Sequence, residues 1–133
     1  MNTLIDKIAW IHLDDNKILS TRSRGKSAYY LPGGKREPGE SDLDTLIREI
    51  DEELSITIIP TTATHLGTFH AQAHGHADGV TVRMTCYTAE HHGVPTPSNE
   101  IEEITWLTYA DRDRVSPVDQ LIFDHLHQTG QLH

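Results

Sequence analysis

The sequence predicts a single α/β domain, and three observations carry that reading. Short stretches alternate apolar and polar residues between turn residues, as half-buried strands do. Two other segments, 41–54 and the one opening at Ser116, repeat their apolar residues every three or four positions, the period of a helix with one buried stripe. The strand-like stretches stand on both sides of the first helix, and 133 residues are enough for one well-packed core. No internal repeat, low-complexity stretch or long linker is visible, so residues 1–133 are read as one domain.

The elements follow in order. Residues 4–13 read as a strand, with Leu4, Ile5, Ile8, Ile11 and Leu13 around Trp10. Asp14, Asp15 and Asn16 turn the chain, and residues 17–22 return as a second strand. Residues 28–31 form a short extended piece leading into Pro32, Gly33 and Gly34. The helix over 41–54 starts at Ser41, whose short side-chain oxygen caps orphan backbone N–H groups, with Asp44 three residues on. Leu43, Leu46, Ile47, Ile50 and Leu54 form its buried stripe. Residues 56–59 and 64–69 are extended and broken near Pro60. Residues 80–89 alternate as a strand, in which Cys86 is a small buried hydrophobe, and 104–107 form another. Ser116 as N-cap and Pro117 in the first turn open the last helix, with Val118, Leu121, Ile122, His125 and Leu126 at helical spacing.

Composition excludes several classes of function. With 11 Lys and Arg against 20 Asp and Glu, the formal net charge is −9, the wrong sign for sequence-independent nucleic-acid binding. A small phosphorylated ligand stays open, because a metal and a few basic groups can meet its charge locally. The apolar runs are too short to span a bilayer. The first residues, with Asp6 among them, lack the basic-then-apolar pattern of a signal peptide. A single cysteine excludes an intrachain disulfide, and a cytoplasmic location is expected.

The chemistry concentrates in residues 34–56. Glu49, Glu52 and Glu53 fall at i, i+3 and i+4 on one flank of the helix, apart from the apolar stripe. Three carboxylates so placed repel one another, and an oxygen-preferring divalent cation such as Mg²⁺ or Mn²⁺ removes the repulsion. Such ions also neutralise the charge of a diphosphate and acidify a bound water. Gly33 and Gly34 let the backbone pass close to metal and phosphates. Lys35 is placed to contact a phosphate oxygen, and Arg48 to pair with Glu52 or Glu40. The plain alternative is a solvated acidic helix. Glu40 and Arg48, at their offsets from Gly34, argue against it.

The spacing of Gly34, Glu40, Arg48, Glu49, Ile50, Glu52, Glu53 and Ile56 resembles the Nudix box, G-x5-E-x7-R-E-U-x-E-E-x-G-U with U aliphatic. The chain is therefore similar to the Nudix hydrolases, the MutT-type family that cleaves nucleoside diphosphates linked to another group. The one departure is Ser55, which stands where the box has glycine at a left-handed helix end. Serine adopts that conformation at about 1 kcal/mol, so a small loss of stability and no loss of activity are expected.

The resemblance implies an α/β/α sandwich with a mixed central sheet, the box forming a loop–helix–loop. It implies Glu49, Glu52 and Glu53 as metal ligands, with the Gly33 carbonyl beside them and Glu40 and Arg48 in support. The general base is either Glu49 or a glutamate of the run Glu100, Glu102, Glu103. Glu100 ranks first of these, since MutT-like members place such a glutamate six residues before a tryptophan, here Trp106. The implied catalytic set is thus Glu49, Glu53 and Glu100 with Arg48. Arg24, Lys26 and Tyr30, ahead of the glycines, fall where family members contact substrate.

The implied activity is Mg²⁺-dependent hydrolysis of a nucleoside triphosphate, or an oxidised deoxynucleoside triphosphate, to the monophosphate and pyrophosphate. The alternatives are another nucleoside diphosphate derivative (ADP-ribose, a dinucleoside polyphosphate, a nucleotide sugar) or a noncatalytic nucleotide-binding module. ADP-ribose and dinucleotide members carry a proline or tyrosine past the box, where this chain has His70, Ala71 and Gln72. Homodimers are common in the family. His70, His74 and His76 lie in a Gly- and Ala-rich stretch read as a flexible connection that could cover the nucleotide site. Their spacing is less well suited to a zinc ion than to a solvated or substrate-facing loop.

Overall fold

The computed structural model describes residues 3–133 and shows an α/β sandwich. Strand β1 (Thr3–Trp10) lies between β4 (Gly33–Lys35), antiparallel to it, and β7 (Val80–Thr88), parallel to it; β6 (Thr64–Gln72) closes the far edge. A second sheet runs β2 (Leu13–Asp14), β3 (Lys17–Ser23), β9 (Ile101–Leu107), and β5 (Thr57–Ile58) pairs with β8 (His91–His92). Helices α1 (Asp42–Leu54) and α2 (Pro117–Gln128) pack on opposite sides. None of these helices is long and apolar enough to cross a membrane.

The pleat of β1 explains the two layers. Ile8 and Trp10 point to one side and join Leu46, Ile50 and Leu54 of α1. Ile5, Ala9 and Ile11 point to the other and join Val118, Ile122, Phe123 and Leu126 of α2. One strand thus anchors both cores, and burying each apolar side chain there contributes about 2 kcal/mol.

Most of the elements read from sequence are present, with shifted ends. The first strand stops at Trp10 and resumes at Leu13. Asp15 and Asn16, at φ 52° and 58°, form the two-residue hairpin loop joining β2 and β3. Strand β6 runs on to Gln72, so His70 belongs to a strand paired with Arg83, and the flexible connection shrinks to 73–79. Gly33–Lys35, read only as a loop, pairs with β1; three residues with two glycines carry no alternation to reveal a strand. Strand β9 begins three residues earlier than read, and a 3₁₀ segment over Tyr109–Arg114 went unforeseen. In α2, Ser116 sits at the N-cap without a side-chain capping bond, and Leu121 is exposed rather than on the buried face.

Helix α1 begins as its sequence requires: Ser41 accepts from the Asp44 N–H, and the Asp44 carboxylate accepts from the Ser41 N–H, a reciprocal cap. It ends on Ser55 at φ 54°, ψ 39°, the left-handed conformation that glycine takes without penalty. The serine has a local compensation, a hydrogen bond between its hydroxyl and that of Ser98. Ser55→Gly relieves about 1 kcal/mol of backbone strain but loses that bond, worth about 1 kcal/mol, so its net gain is small. Ser55→Ala loses the bond and keeps the strain. The glycine variant should melt about 3 °C above the alanine variant; equal melting temperatures would show that the left-handed backbone carries no penalty here.

Asp119, in the first turn of α2, is fully buried and accepts the Leu31 N–H at 3.1 Å, tying the 28–31 segment to the helix. Burial pushes its carboxyl up from 3.8 to about 6. Because the folded value exceeds the ordinary one, the stability contributed is full below 3.8 and is lost as pH rises through about 6. Asp119→Asn keeps an acceptor and cannot ionise. Its melting temperature should gain on the wild type as pH rises through that window, and parallel pH curves would refute the assignment.

Candidate active site

The site is built where the last two turns of α1 meet the glycine strand β4. Gly33 packs so tightly on β1 that a Cβ there would lie 2.0 Å from the Ile8 carbonyl oxygen, at φ 145°. A Cβ on Gly34 would fall 2.3 Å from the Glu49 carboxyl carbon. The two glycines therefore serve two contacts: one seats the strand, the other leaves room for a carboxylate.

Glu53 is 7% exposed and accepts the Gly33 N–H at 3.0 Å. Burial pushes its carboxyl up to about 8, and the charges of Glu49 and Glu100 push the same way against the Gly33 N–H. Glu49 is also raised, by burial first and then by Glu52 and Glu100, with Arg48 opposing. The last turn of α1 holds no basic residue, so the negative end of the helix dipole adds to this repulsion.

Arg48 holds the arrangement in register. It grips both Glu40 carboxylate oxygens, at 2.7 and 2.8 Å, donates to Glu49 at 2.8 Å, and donates to the Lys35 carbonyl. This forked contact holds the Glu40 carboxyl down at about 2. Glu52 is half exposed and 3.7 Å from Arg48, so of the two partners read from sequence Glu40 is the stronger.

The loop before β9 completes the site. The N–H groups of Thr96 and Ser98 and the Asn99 side chain bind the carbonyls of Leu54, Glu53 and Glu52, the orphan acceptors of the helix end. That capping carries Glu100 to the glutamates, where its charge raises both Glu49 and Glu53. Glu102 and Glu103 are instead engaged by Arg22, and Glu103 also by the Tyr29 hydroxyl. Of the three late glutamates, Glu100 alone acts on the box pair in this way.

A cavity of about 200 Å³ opens beside Glu53, Gly33 and Gly34, and Lys26, Tyr30 and Met84 also line it. The last three also line an adjoining cavity of about 240 Å³, with His74, His76 and Ser116. Of the four residues read as substrate-contacting, Lys26 and Tyr30 line both cavities, while Arg24 and Lys35 lie outside both linings. Tyr30 hydrogen-bonds His74, so the 73–79 turn reaches the cavity mouth. Sequence reading passed over Lys7, which lines both cavities; a lone lysine in an apolar strand carried no motif.

Among the described residues no three His, Cys, Asp or Glu side chains are gathered at metal-binding distance, neither the box glutamates nor the three histidines. The donors nevertheless fit a hard divalent cation. Glu49 and Glu53 are oxygen donors, each raised by the charge of Glu100, and Gly34 keeps the space beside Glu49 clear. Glu52, more exposed, lies one helical turn after Glu49 on the same flank.

Comparison with known proteins agrees with this geometry. A family model described as the NUDIX domain matches residues 6–126. The chain is 29% identical over 122 residues to the uncharacterized Nudix hydrolase YvcI of Bacillus subtilis (strain 168), covering 90% of this chain and 77% of that protein. In fold it is similar to the E. coli ORF135 protein, with a TM-score of 0.76 and 22% identity over 96% of this chain and 91% of that one. It is likewise similar to the MutT NUDIX hydrolase of Burkholderia pseudomallei, with a TM-score of 0.73 and 22% identity over 92% and 98% of the two chains. A match over that span, on a helix whose glutamates crowd against the glycine strand, shows that this chain belongs to the Nudix family as a hydrolase of nucleoside diphosphate derivatives.

Proposed function

We propose that the chain hydrolyses a nucleoside triphosphate, oxidised deoxynucleoside triphosphates among them, to the nucleoside monophosphate and pyrophosphate. The supporting observation is buried Glu53 beside half-buried Glu49, both pushed up by burial and by Glu100, with Glu53 lining a cavity that has Lys26 and Tyr30 in its wall. Glu49, Glu52, Glu53 and the Gly33 carbonyl would hold Mg²⁺ or Mn²⁺. Bound there, the cation would neutralise phosphate charge and acidify a water.

The chain's own residues do the rest. Gly33 fixes the Glu53 carboxylate through its N–H, and Arg48 with Glu40 sets the angle of Glu49. Glu100 takes the proton of the attacking water as its oxygen bonds to phosphorus and the bond to the leaving pyrophosphate breaks. Glu49 is the weaker candidate for that role because Arg48 already occupies one of its oxygens. Lys26 and Tyr30 orient the substrate from the cavity wall.

The test is phosphate and pyrophosphate release from a panel of ordinary and oxidised nucleoside triphosphates, ADP-ribose, dinucleoside polyphosphates and nucleotide sugars with Mg²⁺. Triphosphates should be the best substrates. Preference for another class would replace the substrate assignment, and binding without turnover of any would indicate a noncatalytic module. Glu53→Gln should lower kcat about 10²-fold or more and abolish the rise in melting temperature that Mg²⁺ produces in the wild type. Glu100→Gln should lower kcat by about 10²-fold while Glu102→Gln leaves it within about twofold. Equal effects of the last two would remove Glu100 from the base role.

A further inference from the structure

Lys7 is an anomaly in its strand. It shares a face of β1 with Ile5, Ala9 and Ile11, residues that pack into or against the α2-side core, where a lysine is seldom placed without a partner. Its side chain is half-buried, yet it joins none of the ion pairs among the described residues. It lines the cavity that holds Glu53, Gly33 and Gly34, and equally the one that holds Ser116 and Val118. Its charge favours the ionised forms of both Glu53 and Asp119, so the ammonium acts on two buried acids, yet it is paired with neither.

We propose that Lys7 binds the phosphoryl group attached directly to the sugar, and thereby selects nucleotides over bare nucleosides. The inference rests on the nucleotide reading given above. A ligand with its terminal phosphates at the glutamates and its nucleoside in the second cavity must pass the junction of the two. Lys7 stands at that junction, and the part of a nucleotide that spans it is the sugar-linked phosphate. A compact ammonium on a flexible stem meets such an oxygen as a point charge. Lys26 also lines both cavities, but it is exposed and comes from the loop after β3, whereas Lys7 is fixed to the central strand. In a site this rich in carboxylates, an inner cation has a clear electrostatic use: it attracts the phosphate on the side away from the glutamates.

The experiment is calorimetric titration of the four common deoxynucleoside monophosphates and their nucleosides into the wild type and Lys7→Met, with EDTA present so that no metal holds the phosphate. For the base bound best, the wild type should prefer the monophosphate by about tenfold or more, and Lys7→Met should erase that preference while nucleoside affinity is kept. In Mg²⁺, Lys7→Met should raise KM about tenfold on the triphosphate with kcat changed less than about threefold, and Lys7→Arg should restore most of it. Lys7→Gln, with its melting temperature measured, serves as a second variant should the methionine protein fold poorly. An unchanged monophosphate preference in either variant overturns the role. So does a reordering of base preference with the phosphate preference intact, which would make Lys7 a reader of the base. A wild type that turns over no nucleotide overturns the functional reading itself, and is distinguishable because the failure precedes any mutation.

Discussion

Glu53 brings a carboxylate into a place that on balance disfavours charge. It is 7% exposed, at the negative end of a helix, beside Glu49 and within the field of Glu100. The Gly33 N–H and the charge of Lys7 oppose these effects and do not outweigh them, since the Glu53 carboxyl still rises to about 8. Isolated burial of such a group is costly, and proteins tolerate it when the group has a task that needs it. The surrounding structure can be read as the means of keeping this carboxylate in place. Gly33 must lack a side chain to sit against Ile8, and only from that position does its N–H reach Glu53. Gly34 must lack one because Glu49 fills the space. Arg48 must be forked, because it spans Glu40 and Glu49 together.

The fold makes this arrangement rigid by anchoring it from two sides. Helix α1 is fixed along its length by Ile8 and Trp10 of the central strand, and at its end by the 96–99 loop that binds its last carbonyls. That loop feeds directly into β9, and β9 is paired to β3 across six residue positions. Glu100 is therefore carried by an element that serves as helix cap at one end and sheet strand at the other. Capping the helix and placing Glu100 are one structural event here, which explains how an exposed glutamate far along the chain comes within the field of Glu49 and Glu53.

What the sequence could reveal depended on whether a feature was local. The box helix, its Ser41–Asp44 cap and the left-handed end at Ser55 rest on contacts within a few residues, and all three are present. The pairing of Arg48 with Glu40 was one of two options that helical spacing allows, and geometry chose between them. Strand β4 was not legible because its partner lies about 26 residues earlier and its own residues show no period. Asp119 was hidden for a similar reason. An acid in a first helical turn looks like an ordinary favourable cap, and only the packing of the 28–31 segment over it makes it fully buried. Lys7 read as the polar break in an apolar strand, although it lies on the inner face. The count of strand parity from Ile5 to Ala9 contains that information, but nothing in the strand itself says that a cavity lies above it.

Charge poses the remaining question, since a chain of net charge −9 that hydrolyses nucleoside diphosphate derivatives must draw in an anion against its own field. A uniformly basic cleft is not the solution adopted. The glutamates gather the negative charge at one end of the site, where, in the function we propose, a divalent cation would convert a repulsive region into an attractive one for the terminal phosphates. The cations of the chain are placed further along, with Lys7 and Lys26 between that end and the apolar wall of Met84, Val82 and Val118. In the function we propose, attraction would be divided between a metal that carries the terminal charge and lysines that meet the charge next to the sugar. On that proposal a ligand lacking either part would satisfy only half of the site, so the same charge pattern that repels polyanions at large would select a nucleotide with a phosphate chain.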